Sequence, residues 1–275
     1  MKKIVFCDID KTLTNDFIVS KENISKVNEY TRLGGIFVLI SGRGIKYVKE
    51  FSKQFNDIRY IIGNNGAIIY DLKNDKVIYK KCIDNITYDE LCKMQKKYSS
   101  NFIINTSNNI LVNNFYKQDE INTIISDIND LSYDKNDVIQ LVLSNFDKEA
   151  TIKLIDNVSY LNNIKIVNRH RSLYDASYPS GNNIWIDIIC KEADKGLGVT
   201  KLLEYLNINL EDSVRIGDDL NDIPMFFDKG INVAVENACD ELKKKADIIV
   251  SKSINNGVSL ALNKIIKEEI WYIFY

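Results

Sequence analysis

Apolar positions along this chain fall into short runs separated by amphipathic stretches, and their order predicts an α/β protein. Lys3–Cys7, Ile36–Ile40 and Tyr60–Ile62 are runs of strand formers of the kind buried in a parallel sheet. Between the first two, Ser20–Leu33 predicts a helix. Ser20 is its N-cap, apolar residues recur at Ile24, Val27, Tyr30 and Leu33, and Gly34-Gly35 stops it. Gly44–Phe55 predicts a second helix. This β-α-β-α-β alternation builds a doubly wound, Rossmann-like parallel sheet with right-handed crossovers. The turn Gly63-Asn64-Asn65-Gly66, followed by Ala67–Tyr70 and then Val77–Tyr79, predicts a small antiparallel excursion at the sheet edge.

From about Lys81 the pattern changes. Thr87–Tyr98 predicts a helix with Thr87 as N-cap and Glu90 three residues on. Strands are expected at Phe102–Asn105, Ile110–Asn113, Val138–Leu143 and Ile164–Val167, and helices at Gln118–Leu131 and Lys148–Leu161. Strands with few helices between them imply a mostly antiparallel sheet covered on one face. We therefore expect a core of residues 1–80 and 188–275 with an inserted α+β domain at 81–187. The core resumes with a helix Lys195–Leu206 capped by Asp194, then a strand Val214–Ile216. A helical stretch Ile223–Phe227 has Pro224 in its first turn, where a missing N–H does no harm. Ile231–Val235 and Ile248–Val250 as strands, with helices Cys239–Lys245 and Asn256–Lys267, complete it.

The chemistry gathers at strand ends. The first strand runs into Asp8-Ile9-Asp10-Lys11-Thr12-Leu13, and ligands of open α/β sheets bind where strands end. Two carboxylates placed so close repel, and burial raises both pKa values unless a cation compensates. Mg²⁺, which takes oxygen ligands and one or two carboxylates plus phosphate, would relieve that cost. Far downstream a second strand ends in Asp218-Asp219-Leu220-Asn221-Asp222. Ser41-Gly42-Arg43 follows a third strand, and Lys195-Gly196 opens a helix. Singly, each could be a solvated turn or a surface helix residue. Together they describe a phosphoryl-transfer site.

This ordered set resembles the haloacid dehalogenase superfamily of phosphohydrolases, whose four motifs are matched by Asp8-x-Asp10-x-Thr12-Leu13, Ser41-Gly42-Arg43, Lys195 and Gly217-Asp218-Asp219-x-Asn221-Asp222. The long segment between the second and third, with Asn65-Gly66-Ala67 before it, is similar to the Cof-like branch with a large α/β cap of the C2 type. Lys11 departs from the family, which usually has glycine there. The resemblance implies a Mg²⁺-dependent phosphatase acting on small phosphorylated metabolites, sugar phosphates foremost, through an aspartyl phosphate. Asp8 would be the nucleophile and Asp10 the general acid and base. Mg²⁺ would be held by Asp8, the backbone carbonyl of Asp10 and Asp218. Thr12, Ser41, Gly42, Lys195 and Asn221 would serve the phosphate, with Arg43 bracing the loop and Asp222 orienting Lys195 or metal-bound water. A phosphosugar mutase of the same superfamily is the alternative. So is a receiver-like phospho-accepting protein, against which stand Asp10, the late fourth motif and the large insertion. The cap's Arg169-His170-Arg171 is either a solvated turn or a contact to substrate.

Composition narrows this little further. Thirty-six basic against 38 acidic residues give a net charge of −2, which points to neither nucleic acid nor an anionic membrane as partner. No segment reaches the ~20 apolar residues of a membrane span. Five cysteines without Cys-x-x-Cys spacing suit reduced thiols, and with no signal-like N-terminus a cytoplasmic protein is expected. One histidine excludes sites built on several. The apolar tail Ile270–Tyr275 is expected to pack on the core or on a neighbouring subunit.

Overall fold

A computed structural model of the protein describes residues 4–15, 18–116, 120–130, 132–167 and 184–267. Arg169, His170 and Arg171 and the tail Ile270–Tyr275 lie outside them. In chain order the elements begin with β1 (Ile4–Asp8), β2 (Thr14–Asn15), β3 (Ile18–Val19), α1 (Lys21–Arg32), β4 (Ile36–Ile40) and α2 (Ile45–Ser52). β5 (Tyr60–Gly63), β6 (Ile68–Asp71), β7 (Lys76–Lys80), α3 (Asn85–Lys97), β8 (Asn101–Asn105), β9 (Ile110–Val112) and β10 (Asn122–Ile124) follow. Next come β11 (Gln140–Asn145), α4 (Lys148–Ser159), β12 (Ile164–Ile166), β13 (Ile184–Cys190) and α5 (Lys195–Leu206). The last are β14 (Ser213–Gly217), β15 (Ile231–Val235), α6 (Asp240–Lys243), β16 (Ile248–Val250) and α7 (Gly257–Ile266). They form two compact units, one of Met1–Arg43, Val48–Tyr79 and Asp194–Tyr275, the other of Gly44–Tyr47 and Lys80–Ala193.

The first unit holds an eight-stranded sheet in the order β16-β15-β14-β1-β4-β5-β6-β7. β1 is central, parallel to β14 on one side and β4 on the other, and β5 and β6 are antiparallel. Ile4, Val5, Phe6 and Cys7 are fully buried, as an apolar strand covered on both faces must be. Ile4, Val5 and Phe6 each contribute about 1.5–3 kcal/mol by leaving water. The register pairs Cys7 with Ile216 and Asp8 with Ile40, so the carboxyl ends of β1, β14 and β4 lie side by side. That is where the acidic and Ser41 loops emerge. α1 is tied to its neighbours by Asn23, whose Nδ2 donates to the Leu13 carbonyl while its Oδ1 accepts from the N–H of Ser259.

The second unit holds a six-stranded sheet, β10-β9-β8-β11-β13-β12, antiparallel except for the β9–β10 pair. α3 and α4 bury Tyr88, Leu91, Leu154, Ile155 and Val158 against Ile104, Leu141, Leu143, Ile186 and Ile188, which share one sheet face. Here several sequence expectations are corrected. Asp84, not Thr87, caps α3: its carboxylate accepts from both the N–H and the hydroxyl of Thr87. The expected helix at 118–131 is not formed where that stretch is described. Asn122–Ile124 pairs as β10, and beyond it Asp127 accepts from the Asn129 N–H and Asp130 from the Ser132 N–H. Such side-chain-to-backbone bonds compete with helix, and they outweigh the helical spacing of the isoleucines. β13, which pairs with β11 and β12 in this sheet, was not expected at all. In the first unit, the stretch expected as helix at Ile223–Phe227 is a tight turn of helix at Leu220–Met225, and α6 is shorter than Cys239–Lys245.

Candidate active site

Three loops and one helix start converge at the carboxyl ends of β1, β14 and β4. Past β1 the chain makes a wide turn, Ile9–Leu13, in which Asp10 is extended and Lys11 has φ 60°. This left-handed backbone is cheap for glycine and costs a lysine about 1 kcal/mol or more. The Lys11 carbonyl is held by Nδ2 of Asn237, whose Oδ1 in turn accepts from the Ser253 N–H.

Lys195, the first residue of α5, is completely buried, and its ammonium lies 2.5 Å from Oδ1 of Asp8 and 2.5 Å from Oδ1 of Asp222. Asp194 fixes the start of that helix by accepting from the Leu197 N–H. The other oxygen of Asp222 accepts from the N–H groups of Asp218 and Asp219 at 2.9 and 3.0 Å, which shapes the loop after β14. Thr12 is buried and its hydroxyl donates to Oδ1 of Asp218 at 2.8 Å. Carboxylate oxygens of Asp8, Asp218 and Asp222 all lie within 4.8 Å of one another. Three carboxylates against one ammonium would, with all of them ionised, leave two negative charges in a buried site, a cost that a hard divalent cation relieves.

The electrostatics follow from burial. It pushes the Asp8 carboxyl well above the ordinary range, Lys195 opposing and Asp222 and Asp218 adding. Asp218 is pushed up to about 7 by burial and by Asp222, against the Thr12 hydrogen bond and Lys195. Burial also works against the Lys195 charge, but Asp222 and Asp8 outweigh it and hold the ammonium protonated beyond an ordinary lysine. Cys7, beside Asp8, has its thiol raised by burial and then by that acid, so it stays neutral in the core.

Arg43 and Asp10 meet as a bidentate pair, Nε to Oδ2 and Nη2 to Oδ1, both at 2.7 Å. Ser41 is buried, and its Oγ accepts from the Arg43 N–H. Asn221 Nδ2 donates to Oδ1 of Asn65 at 3.1 Å. Asp219 is exposed and accepts from the Leu220 N–H. Thus Asp8, Asp10, Thr12, Ser41, Gly42, Arg43, Lys195, Asp218, Asn221 and Asp222 are brought to one region, whereas Arg169, His170 and Arg171 lie outside the described residues. Two further polar residues stand at this site, Asn65 and Asn237. In the sequence Asn65 is marked only as part of the Asn65-Gly66-Ala67 turn, with no role at the site, and nothing marks Asn237.

Residues 5–262 match the family model of haloacid dehalogenase-like hydrolases. The chain belongs to that family. Among this hydrolase's relatives is 5-amino-6-(5-phospho-D-ribitylamino)uracil phosphatase YcsE of Bacillus subtilis, 25% identical over 265 residues that cover 94% of each chain. A haloacid dehalogenase-like hydrolase from Bacteroides thetaiotaomicron has the same fold, with a TM-score of 0.82 at 22% identity over 96% of this chain and all of that one. So does the subclass IIB sugar phosphatase BT4131, with a TM-score of 0.73 at 23% identity, covering 96% of this chain and 99% of that one. The hydrolase takes its place among the phosphatases of this family, which cleave phosphoric monoesters.

Proposed function

We propose that the protein is a Mg²⁺-dependent phosphatase of small phosphorylated metabolites, sugar phosphates foremost, working through an aspartyl phosphate on Asp8. One observation carries the reading: a buried lysine clamps Asp8 and Asp222 beside a third buried acid, with more negative charge than the lysine balances. Asp222 spends both oxygens on Lys195 and on backbone N–H groups. We therefore assign the metal to Asp8, Asp218 and the backbone carbonyl of Asp10, and give Asp222 the task of orienting Lys195. Bound there, Mg²⁺ supplies charge neutralisation for the phosphoryl oxygens.

With one Asp8 oxygen fixed by Lys195, the other attacks phosphorus, and the bond to the leaving alkoxide breaks. Asp10 gives that alkoxide a proton. It then takes one from the water that attacks phosphorus in the acyl phosphate, releasing inorganic phosphate and restoring Asp8. Both oxygens of Asp10 are held by Arg43, so this role requires the pair to open as substrate binds. Lys195, the Ser41 hydroxyl and the backbone at Gly42 steady the charge on the transferred group. Thr12 serves this site by holding Asp218, its hydroxyl being engaged there.

These groups would accept any phosphate ester. We assign discrimination between esters to the inserted unit, with the chain near Lys80–Asp84 and Asp187–Lys191 as hinges. The five cysteines, none of them in a disulfide, support a reducing, cytoplasmic setting. Among the described residues no helix is long and apolar enough to cross a membrane.

The test is phosphate release from a panel of sugar phosphates, nucleotides and cofactor phosphates, with Mg²⁺ and with EDTA. We expect turnover of at least one ester, a loss of more than about 100-fold in EDTA and recovery on adding Mg²⁺. Full activity in EDTA would remove the metal from the account, and no release from any ester would remove the phosphatase.

A further inference from the structure

β5 and β6 are antiparallel neighbours, Gly63 opposite Ile68, and a two-residue Asn-Gly turn is the usual low-cost way to join such strands. The chain does something more expensive. Asn64, Asn65 and Gly66 take positive φ in succession, 52°, 52° and 88°. Asparagine tolerates that conformation one residue at a time, not in runs. Loops between strands also lie on the surface as a rule, because their backbone groups need water. Here Asn64 and Asn65 are at most 2% exposed. Strain and burial at one point, next to a site, call for a reason beyond chain reversal.

The reason lies in what the turn touches. A buried backbone must find partners. The N–H of Asn64 donates to the Arg43 carbonyl at 2.7 Å and that of Asn65 to the Ser41 carbonyl at 2.9 Å. The left-handed run is what points two successive N–H groups at the same loop. The amide of Asn65 then lies flat on that loop: a Cβ placed on Gly42 would stand 3.0 Å from its Oδ1 and 3.1 Å from its Nδ2. The same Oδ1 accepts from Asn221 of the loop after β14. Gly66 seats against the start of α5, where a Cβ would come within 1.9 Å of the Asp194 carbonyl. One turn thus ties together the Ser41 loop, the Asn221 loop and the helix start that carries Lys195.

We propose that Asn65 is a positioning residue, setting the Ser41–Arg43 loop and Asn221 in register with Lys195 for phosphoryl transfer. This rests on the phosphatase reading. It acts through other residues and predicts a loss in turnover rather than in substrate affinity or folding. Misplacing reacting groups by about 1 Å costs on the order of 100-fold.

Two variants test it. Asn65→Gly keeps access to positive φ and relieves the backbone, but removes the amide. We expect kcat to fall about 10- to 100-fold with KM within about threefold and the melting temperature close to wild type. Asn65→Asp keeps the acceptor for Asn221 while adding a negative charge near the phosphate. It should recover kcat to within about threefold of wild type and raise KM instead, a split that a merely structural role would not produce. Wild-type kcat in Asn65→Gly, or equal losses in both variants that track melting temperature, would overturn the proposal. Backbone and side-chain amide NMR spectra of the wild type and Asn65→Gly decide it without any substrate. The Asn221 side-chain amide and the Gly42 and Arg43 N–H signals should shift while those in the middle of α5 stay. Unchanged Asn221 and Gly42 signals would also overturn it. A wild type that cleaves no ester would count against the phosphatase alone, and these spectra would still judge the positioning.

Discussion

Strand β14 and the residue just past it carry two buried charge centres only three residues apart, and they are resolved in opposite ways. Arg215 is fully buried, yet its hydrogen-bond partners are all neutral oxygens. They are Oδ1 of Asn232, the carbonyl and hydroxyl of Ser213, and the carbonyls of Phe227 and Lys229. The Phe227 ring lies beside the guanidinium, 5.6 Å from its centroid. Burial pulls its pKa down to about 10, Asp247 opposing. The donors are saturated and the centre is closed. At the strand's other end, Asp218 joins Asp8 and Asp222 around a single lysine, and charge of one sign is left over. Burial of a charge therefore does not by itself mark a site. An unbalanced set of carboxylates is different, because it must either take up protons or be completed by a cation.

The contrast can be broken most sharply at Asp8. Asp8→Asn removes the attacking oxygen but keeps the shape and one buried charge fewer. Turnover should fall by more than about 10⁴-fold while the melting temperature holds or rises. A folded variant with near-normal phosphate release would show that Asp8 is not the nucleophile. At the closed centre the effect should be reversed. Arg215→Met takes the guanidinium from Asn232 Oδ1 and from the carbonyls of Ser213 and Lys229, while the Phe227 carbonyl keeps Asn232 Nδ2, and we expect a stability loss of about 3–5 kcal/mol by urea unfolding. Activity per folded molecule should stay within a few-fold. Activity lost in proportion to nothing in the unfolding curve would make Arg215 part of the site.

A smaller effect separates the two centres by pH. Asp218 keeps its proton in the folded state up to about 7, whereas an unfolded aspartate loses it near 3.9. Between those values the folded form binds more protons, so without metal its stability falls as pH rises through the window and is lowest above 7. In EDTA the stability of wild type relative to Asp218→Asn, which cannot titrate, should drop by a few kcal/mol between about pH 4.5 and 8. Mg²⁺ should cancel that drop. A flat difference would mean that Asp218 is ionised throughout without metal.

Much of this was legible in the residues. Strand ends in Asp8-x-Asp10 and in Asp218-Asp219, with Ser41 and Lys195 between, mark where the polar groups gather, because neighbouring parallel strands bring their carboxyl ends together. What escaped was whatever depends on neighbours distant in sequence. Arg215 passes unnoticed inside an apolar run, since its partners are gathered from β14 itself, from β15 and from the Phe227 and Lys229 carbonyls before β15. Asn65 looks like a turn residue, and only the packing of Gly42 and Asn221 against it gives it a task. Lys11 shows the same limit in reverse. Its departure from glycine raised a question of loop geometry, and the structure answers that the loop keeps its left-handed residue and clamps it through Asn237. In the inserted unit, asparagine and aspartate turns overrode a helical spacing at 122–130.

The central claim is the covalent use of Asp8, and one measurement reaches it directly. Excess enzyme is mixed with a good phosphate ester and Mg²⁺, quenched in acid within milliseconds, digested and examined by mass spectrometry, with Asp10→Asn included to slow the second step. A phosphoryl group on the peptide bearing Asp8, formed and lost at rates that account for turnover and absent in Asp8→Asn, is the predicted result. Phosphate released in the first turnover with no phosphoryl group ever found on that peptide, in wild type or in Asp10→Asn, would contradict it.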